Sequence, residues 1–270
     1  MLVRRWAKLS GEGDTALYDV LYDSAVRYDV PSLAVLKARA EKLAVVKPPA
    51  QEVAGIVVPT WLAEDPGGEV PDLPALPENL LDPLRELSPE ARAWLHARGL
   101  TDKTLATWEV GWLEAKRRIA LPIRDLKGRL VGISGRSIDA WETPKFVHAT
   151  GFRKDFYLYG EHLMVKGSLG YLVEGFFDAM MLWQRGYRSP LAFMGSSLGK
   201  VQAEKVVSNC ESVVVVRDGD EPGKEIAVRV VTTLGTRITT RVPEIPEGKD
   251  PDDLTLDECY DLLGPPRLPA

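Results

Sequence analysis

Several carboxylates lie where short apolar strands of the predicted fold end. Glu174 follows the strand 171–173, and Asp178 comes one helical turn later. Asp218 and Asp220 directly follow a second apolar strand. Ligands of open α/β sheets bind beyond the carboxyl ends of the strands, so we expect these acidic groups to lie side by side at one edge.

A third acidic pair, Asp250 and Asp252, follows the turn-rich segment 246–249. Carboxylates gathered at one place repel unless a cation neutralises them, and an oxygen-only set suits Mg²⁺ or Mn²⁺. No zinc is expected, because the two cysteines, Cys210 and Cys259, are far apart in the sequence. The predicted metal ligands are Glu174, Asp178, Asp218, Asp220, Asp250 and Asp252.

Each of these acids taken singly has an ordinary structural interpretation. Asp178, Asp218 and Asp220 are equally typical of helix N-caps and turns, where short acidic side chains accept backbone hydrogen bonds. Three groups at matching positions favour the metal site instead.

The elements that must position these acids alternate from residue 171 onward. Short apolar strands are followed by helical stretches, which predicts a mainly parallel sheet flanked by helices. The predicted strands are 171–173, 191–194, 213–216 and 237–242. In the preceding half, Ser88 and Pro89 begin a helix predicted to end at Arg98, and a hairpin of strands 118–123 and 130–136 follows.

Composition indicates a folded, cytoplasmic protein. The 270 residues are 45% hydrophobic and 27% charged, no segment resembles a membrane span, and the N-terminus is not that of a signal peptide. The net charge of −5 opposes nucleic-acid binding by the surface as a whole. Its distribution matters more, since residues 115–155 hold ten Lys or Arg against four acids, whereas 171–270 hold eleven against sixteen.

Three segments of the second half resemble the Toprim signature of bacterial-type, DnaG-like primases: 174–178 (EGFFD), 218–223 (DGDEPG) and 247–252 (EGKDPD). The first half resembles the basic half of the polymerase core of the same family. The matching segments there are 95–101, 108–111, 118–125, 132–136, 144–146, 152–154 and 158–160.

This resemblance implies an N-terminal α+β basic subdomain followed by a Toprim domain. We predict a small helical region at 1–46, a proline-rich linker at 47–83, the basic subdomain at 84–165, the Toprim domain at 166–264 and a tail at 265–270. The zinc-ribbon and helicase-binding modules usual in the family have no counterpart in the sequence.

The resemblance also assigns roles. Glu174, Asp218 and Asp220 would be the principal catalytic metal carboxylates, with the other three acids supporting a second metal or the nucleotide. Template or triphosphate would be bound by Arg136, Lys145, Lys154 and Lys249.

The implied function is metal-dependent synthesis of RNA primers from nucleoside triphosphates on a single-stranded DNA template. A replicative helicase or a separate zinc-ribbon template-recognition protein is a further expected partner, and the missing modules would suit a phage or mobile element. Two alternatives stay open: a Toprim nuclease, in which the same carboxylates activate water, and a non-catalytic nucleic-acid-binding adaptor of the replisome.

Overall fold

The computed structural model describes residues 75–149 and 152–266. The predicted helical region 1–46, most of the predicted linker and most of the predicted tail lie outside the described residues. Where the linker is described, the chain forms two short 3-10 turns, Glu78–Leu80 and Asp82–Leu84, instead of an extended segment. Leu76 is held to the first sheet, because its N–H donates to the Leu130 carbonyl at 2.7 Å.

The first described half combines two helices with an antiparallel sheet. Ser88 caps the first helix by accepting from the Ala91 N–H at 3.1 Å, which confirms its predicted start, and the helix ends one residue before the predicted Arg98. The elements are α1 (Pro89–Ala97), α2 (Asp102–Thr107), β1 (Gly111–Leu113), β2 (Arg118–Arg124), β3 (Leu130–Ser137) and β4 (Phe146–His148). The four strands lie in sequence order, and every neighbouring pair is antiparallel.

The second half alternates strand and helix, as its sequence predicts. Its elements are β5 (Ser168–Val173), α3 (Phe176–Gln184), β6 (Pro190–Ala192), α4 (Lys200–Asn209), β7 (Cys210–Val215), α5 (Glu221–Leu234), β8 (Thr239–Arg241) and α6 (Leu256–Leu263). The strand order is β6-β5-β7-β8, and all neighbouring strands are parallel. The predicted mixed α/β fold with a helix-flanked parallel sheet is therefore confirmed.

One hydrophobic core joins the two sheets. Buried residues of β2, such as Ile119 and Leu121, belong to the same cluster as Tyr171 and Val173 of β5 and Phe176 of α3. A second cluster fills the other face of the parallel sheet beneath α4 and α5. None of the described helices is long and apolar enough to cross a bilayer.

Candidate metal and nucleic-acid site

Glu174 and Asp218 lie at the carboxyl ends of two adjacent parallel strands. Leu172 of β5 pairs with Val215 of β7, so both strands end at the same edge of the sheet. Burial, reinforced by the neighbouring Asp218 and Asp220 charges, raises the pKa of Glu174 to about 7. Burial together with Asp250 and Asp220 raises the pKa of Asp218 to about 6.

Two oxygens of this pair are buried without a protein hydrogen bond. They are Oε1 of Glu174 and Oδ1 of Asp218. Buried polar atoms are almost always satisfied by protein, water or a bound ion. An oxygen-only donor set with unpartnered buried oxygens fits a hard divalent cation.

Asp178 and Asp220 each accept a backbone hydrogen bond at the start of a helix. The Gly175 N–H donates to Oδ2 of Asp178 at 3.0 Å, and the Gly223 N–H donates to Oδ1 of Asp220 at 2.7 Å. Asp178 is buried, and burial followed by the charge of Asp252 raises its pKa well above the ordinary value. Asp220 is therefore the N-cap of α5, as the structural interpretation predicted. Asp178 is instead the third residue of α3 and accepts from the N–H of Gly175, which is the N-cap.

The third acidic loop brings three carboxylates together. Ligand oxygens of Asp250, Asp252 and Asp253 all lie within 4.8 Å of one another. Within residues 75–149 and 152–266 no other group of three or more acids, cysteines or histidines is as close, so Glu174 and Asp218 are not part of so tight a group. Asp253 was not among the predicted ligands, and its only signal in the sequence was its place beside Asp252.

Gly219 holds the second acidic loop against the third. Its N–H donates to the Lys249 carbonyl at 2.8 Å, and a Cβ at this position would lie 2.2 Å from the Pro246 carbonyl oxygen. No side chain fits there without moving backbone. The spacing between Asp218 and Asp250 therefore depends on a glycine between them.

Replacing Gly219 with alanine should separate the two acidic loops. We expect a loss of about 1 to 3 kcal/mol in the free energy of unfolding, typical of overpacking, and a weaker affinity for Mn²⁺. Urea denaturation and calorimetric titration with Mn²⁺ measure the two effects. Gly167→Ala is the matched control, because that glycine has a positive φ of 75° but nothing within 4 Å of its Cβ position, so it should lose stability without losing Mn²⁺ affinity.

Arg98 connects the first half of the chain to the third acidic loop. Its Nη2 donates to Oδ2 of Asp252 at 2.6 Å, although 154 residues separate them in sequence. The guanidinium also lies over the rings of Phe177, at 4.7 Å, and Trp94, at 5.3 Å. Arg98 lies in the segment 95–101 that resembles the family, and no role was predicted for it.

Arg136 lies beside Arg98 on the same aromatic surface. Its guanidinium is 5.1 Å from the Phe146 ring and 5.8 Å from the Trp94 ring. Burial and the charges of Arg98 and Arg118 lower its pKa. No acid of the described residues forms an ion pair with Arg136, which leaves this half-buried cation available for an anionic ligand.

The three predicted lysines differ in their surroundings. Lys145 is exposed, and so is Lys154, whose Nζ would lie 3.0 Å from a Cβ on Gly195. Lys249 instead pairs with Glu258 at 2.5 Å and, by donating to it, lowers the pKa of that carboxyl to about 2. In this structure Lys249 is therefore committed to α6, and its predicted role with phosphate remains a prediction.

The second half of the chain matches a known family. A model described as Toprim-like covers residues 171–255. This segment is similar to Toprim-like domains. The matched residues include all six predicted metal carboxylates. Asp178 lies in α3, and the other five lie in the loops that follow β5, β7 and β8.

Curated relatives extend the match beyond the Toprim-like domain. A DNA primase of Rickettsia felis is 27% identical over 215 residues, covering 62% of this chain and 36% of its own. A DNA primase of Aquifex aeolicus is 30% identical over 170 residues, covering 60% and 33%. The chain thus spans about a third of the length of these relatives.

Solved structures of primases share the fold of this chain over more than the Toprim-like segment. The zinc-binding and RNA polymerase domains of the Aquifex aeolicus primase give a TM-score of 0.59 at 24% identity, covering 65% of this chain and 55% of theirs. The DnaG primase catalytic domain bound to single-stranded DNA gives 0.57 at 23%, covering 67% and 73%. The described residues have the fold of a bacterial primase catalytic core.

Proposed function

We propose that the chain is a primase catalytic core that makes short RNA primers on single-stranded DNA. The observation that carries the proposal is the juxtaposition of two groups of opposite charge. Carboxylates with raised pKa values lie at one sheet edge, and Arg98 and Arg136 lie on an aromatic surface next to it. A site that holds cations and polyanions together is suited to phosphoryl transfer.

Glu174, Asp218 and Asp220 would hold Mg²⁺ or Mn²⁺, with Asp178, Asp250 and Asp252 as supporting ligands. A bound divalent cation supplies Lewis-acid stabilisation of charge on the reacting phosphate oxygens. Oxygens of Glu174 and Asp218 that lack a protein partner are the ones positioned to accept it. Their raised pKa values mean that cation and proton compete for the same oxygens.

The basic residues would bind the nucleic-acid and triphosphate anions. Arg136 is backed by Phe146 and Trp94, which fixes the plane of its guanidinium and leaves its N–H groups for phosphate. Lys145 and Lys154 are exposed and extend this positive surface. The names of the relatives, DNA primases, and the solved core bound to single-stranded DNA support template binding by this surface.

Two further partners follow from the proposed function. A replicative helicase would bring the core to its template, and a zinc-ribbon protein would recognise the start site. Copurification of the tagged chain with each candidate tests this part.

Primer synthesis tests the central proposal. The purified chain is incubated with single-stranded DNA, labelled ribonucleoside triphosphates and Mg²⁺ or Mn²⁺, and the products are resolved by length. Short new oligonucleotides that disappear in Asp218→Asn support the primase. Degradation of the template in place of synthesis would support a Toprim nuclease, and metal-independent DNA binding without either product would support an adaptor.

A further inference from the structure

Gln202 is a buried polar group that the proposed chemistry does not use directly. Its side chain lies in α4, and the residue is 1% exposed. Nε2 donates to the carbonyls of Tyr157 at 2.7 Å and Lys154 at 2.9 Å, with the Phe193 carbonyl at 3.2 Å, and Oε1 accepts from the Gly199 N–H at 2.7 Å. Every hydrogen-bonding atom of the amide is therefore engaged.

The backbone groups that Gln202 binds belong to two separate stretches of the site. Lys154 and Tyr157 bound the 3-10 turn that follows the basic sheet. Phe193 follows β6, and the next residue, Met194, donates its N–H to the Glu174 carbonyl at 3.0 Å. One side chain thus joins the turn that carries Lys154 to the loop that is hydrogen-bonded to Glu174.

A second contact on the same helix face holds the same turn. Lys205, one helical turn beyond Gln202, pairs with the buried Glu161 at 2.7 Å and lies 4.4 Å from the centre of the Tyr157 ring. Glu161 also accepts from the Leu158 N–H at 2.9 Å. Residues 154–161 are therefore fixed to α4 at both ends, and Gln202 is the contact nearer to Lys154.

The Lys154 ammonium lies against Gly195, where the absence of a side chain leaves room for it. A Cβ on Gly195 would be 3.0 Å from Nζ, and Gly195 directly follows Met194. The Lys154 amine is thereby directed to the loop after β6, beside the edge where Glu174 lies. Its position depends on the backbone carbonyl that Gln202 fixes.

We infer that Gln202 is a positioning residue that places Lys154 to bind a backbone phosphate of single-stranded nucleic acid. This inference rests on the proposed function for Lys154. Gln202 itself makes no contact with the anion. The carbonyls of Lys154, Tyr157 and Phe193 are buried around Nε2 of Gln202. Because water does not reach them, they depend on this amide for a hydrogen-bond donor.

Salt-dependent binding of a fluorescein-labelled single-stranded oligonucleotide to the full chain tests the inference. Lys154→Ala should raise Kd roughly tenfold and reduce the slope of log Kd against log salt by about 0.7, the value for one phosphate contact on a single strand. Gln202→Met, which keeps the length of the side chain without its donors, should reproduce both changes. The double variant should bind no more than about twofold more weakly than Lys154→Ala, because both changes remove one interaction.

A substitution in the hydrophobic core distinguishes a general loss of stability from a loss of Lys154 positioning. Val230→Ala removes buried methyl groups from α5, so it should lower the melting temperature and leave Kd and its salt slope unchanged. A Gln202→Met protein with wild-type Kd and slope, or a double variant whose effects add, would overturn the inference while leaving the proposed function intact. If Lys154→Ala also binds normally, Lys154 is not a phosphate contact, and the inference falls with that part of the proposal.

Discussion

Glu174→Gln should reduce primer synthesis by roughly 10²- to 10³-fold, because it removes the charge of a proposed ligand of the catalytic metal. Single-stranded DNA binding should stay within about twofold of wild type, since the basic surface is separate. The metal-free variant should also melt at a higher temperature, because a half-buried carboxylate that is repelled by Asp218 and Asp220 becomes a neutral amide. Initial rates with labelled ribonucleotides, fluorescence anisotropy and calorimetry measure the three quantities.

Glu221→Gln is the matched control for that substitution. Glu221 is an exposed glutamate in the first turn of α5 and pairs with Lys224 on the surface. Its substitution should change primer synthesis by less than about twofold. A Glu174→Gln protein that retains full synthesis would show that Glu174 is not a metal ligand for the reaction.

Mg²⁺ should stabilise the folded protein more at pH 8 than at pH 5. Glu174 and Asp218 have folded-state pKa values of about 7 and about 6, both above the values expected in the unfolded chain. Their contribution to stability is present below the unfolded pKa near 4 and is lost as pH rises through 6 to 7. The metal-free protein should therefore melt at a lower temperature at pH 8 than at pH 5, because the ionised carboxylates repel each other at pH 8. Binding of a divalent cation should restore the lost melting temperature.

The expected shift can be measured by scanning calorimetry. At a Mg²⁺ concentration a hundred times Kd, binding adds about 2.7 kcal/mol, which corresponds to a rise of ~5 to 10 °C in Tm for a protein of this size. The double variant Glu174→Gln/Asp218→Asn should show little shift at either pH. The depressed pKa of Glu258 acts only between about pH 2 and 4, outside this window. An equal Mg²⁺ shift at pH 5 and pH 8 would contradict a site built from these two acids.

The position of the acidic edge could be predicted from the sequence because it follows from strand direction alone. Parallel strands end at one edge, so Glu174 and Asp218 had to meet once 171–173 and 213–216 were recognised as neighbours. The parallel sheet and its helices were predicted by the same alternation of apolar segments. Strands β1 and β4 were not predicted.

Contacts between distant segments could not be predicted. Arg98 and Asp252 are far apart in the chain, and their pairing depends on how α1 packs beside the third acidic loop. The family resemblance assigned Lys249 to template or triphosphate, and in the structure its partner is Glu258 in α6. Gln202 carries no signal either, since a single glutamine in a helix is ordinarily a surface residue.

The core shared by the two sheets makes the described residues one cooperative unit. Ile119 and Leu121 of the basic half are buried with Tyr171 and Val173, the residues that lead to Glu174. Separating the halves would expose apolar surface on both, so neither keeps its stability when cut from the other. The residues proposed to bind phosphate and those proposed to bind cations should consequently fold and unfold together, so that a partially unfolded chain presents neither group.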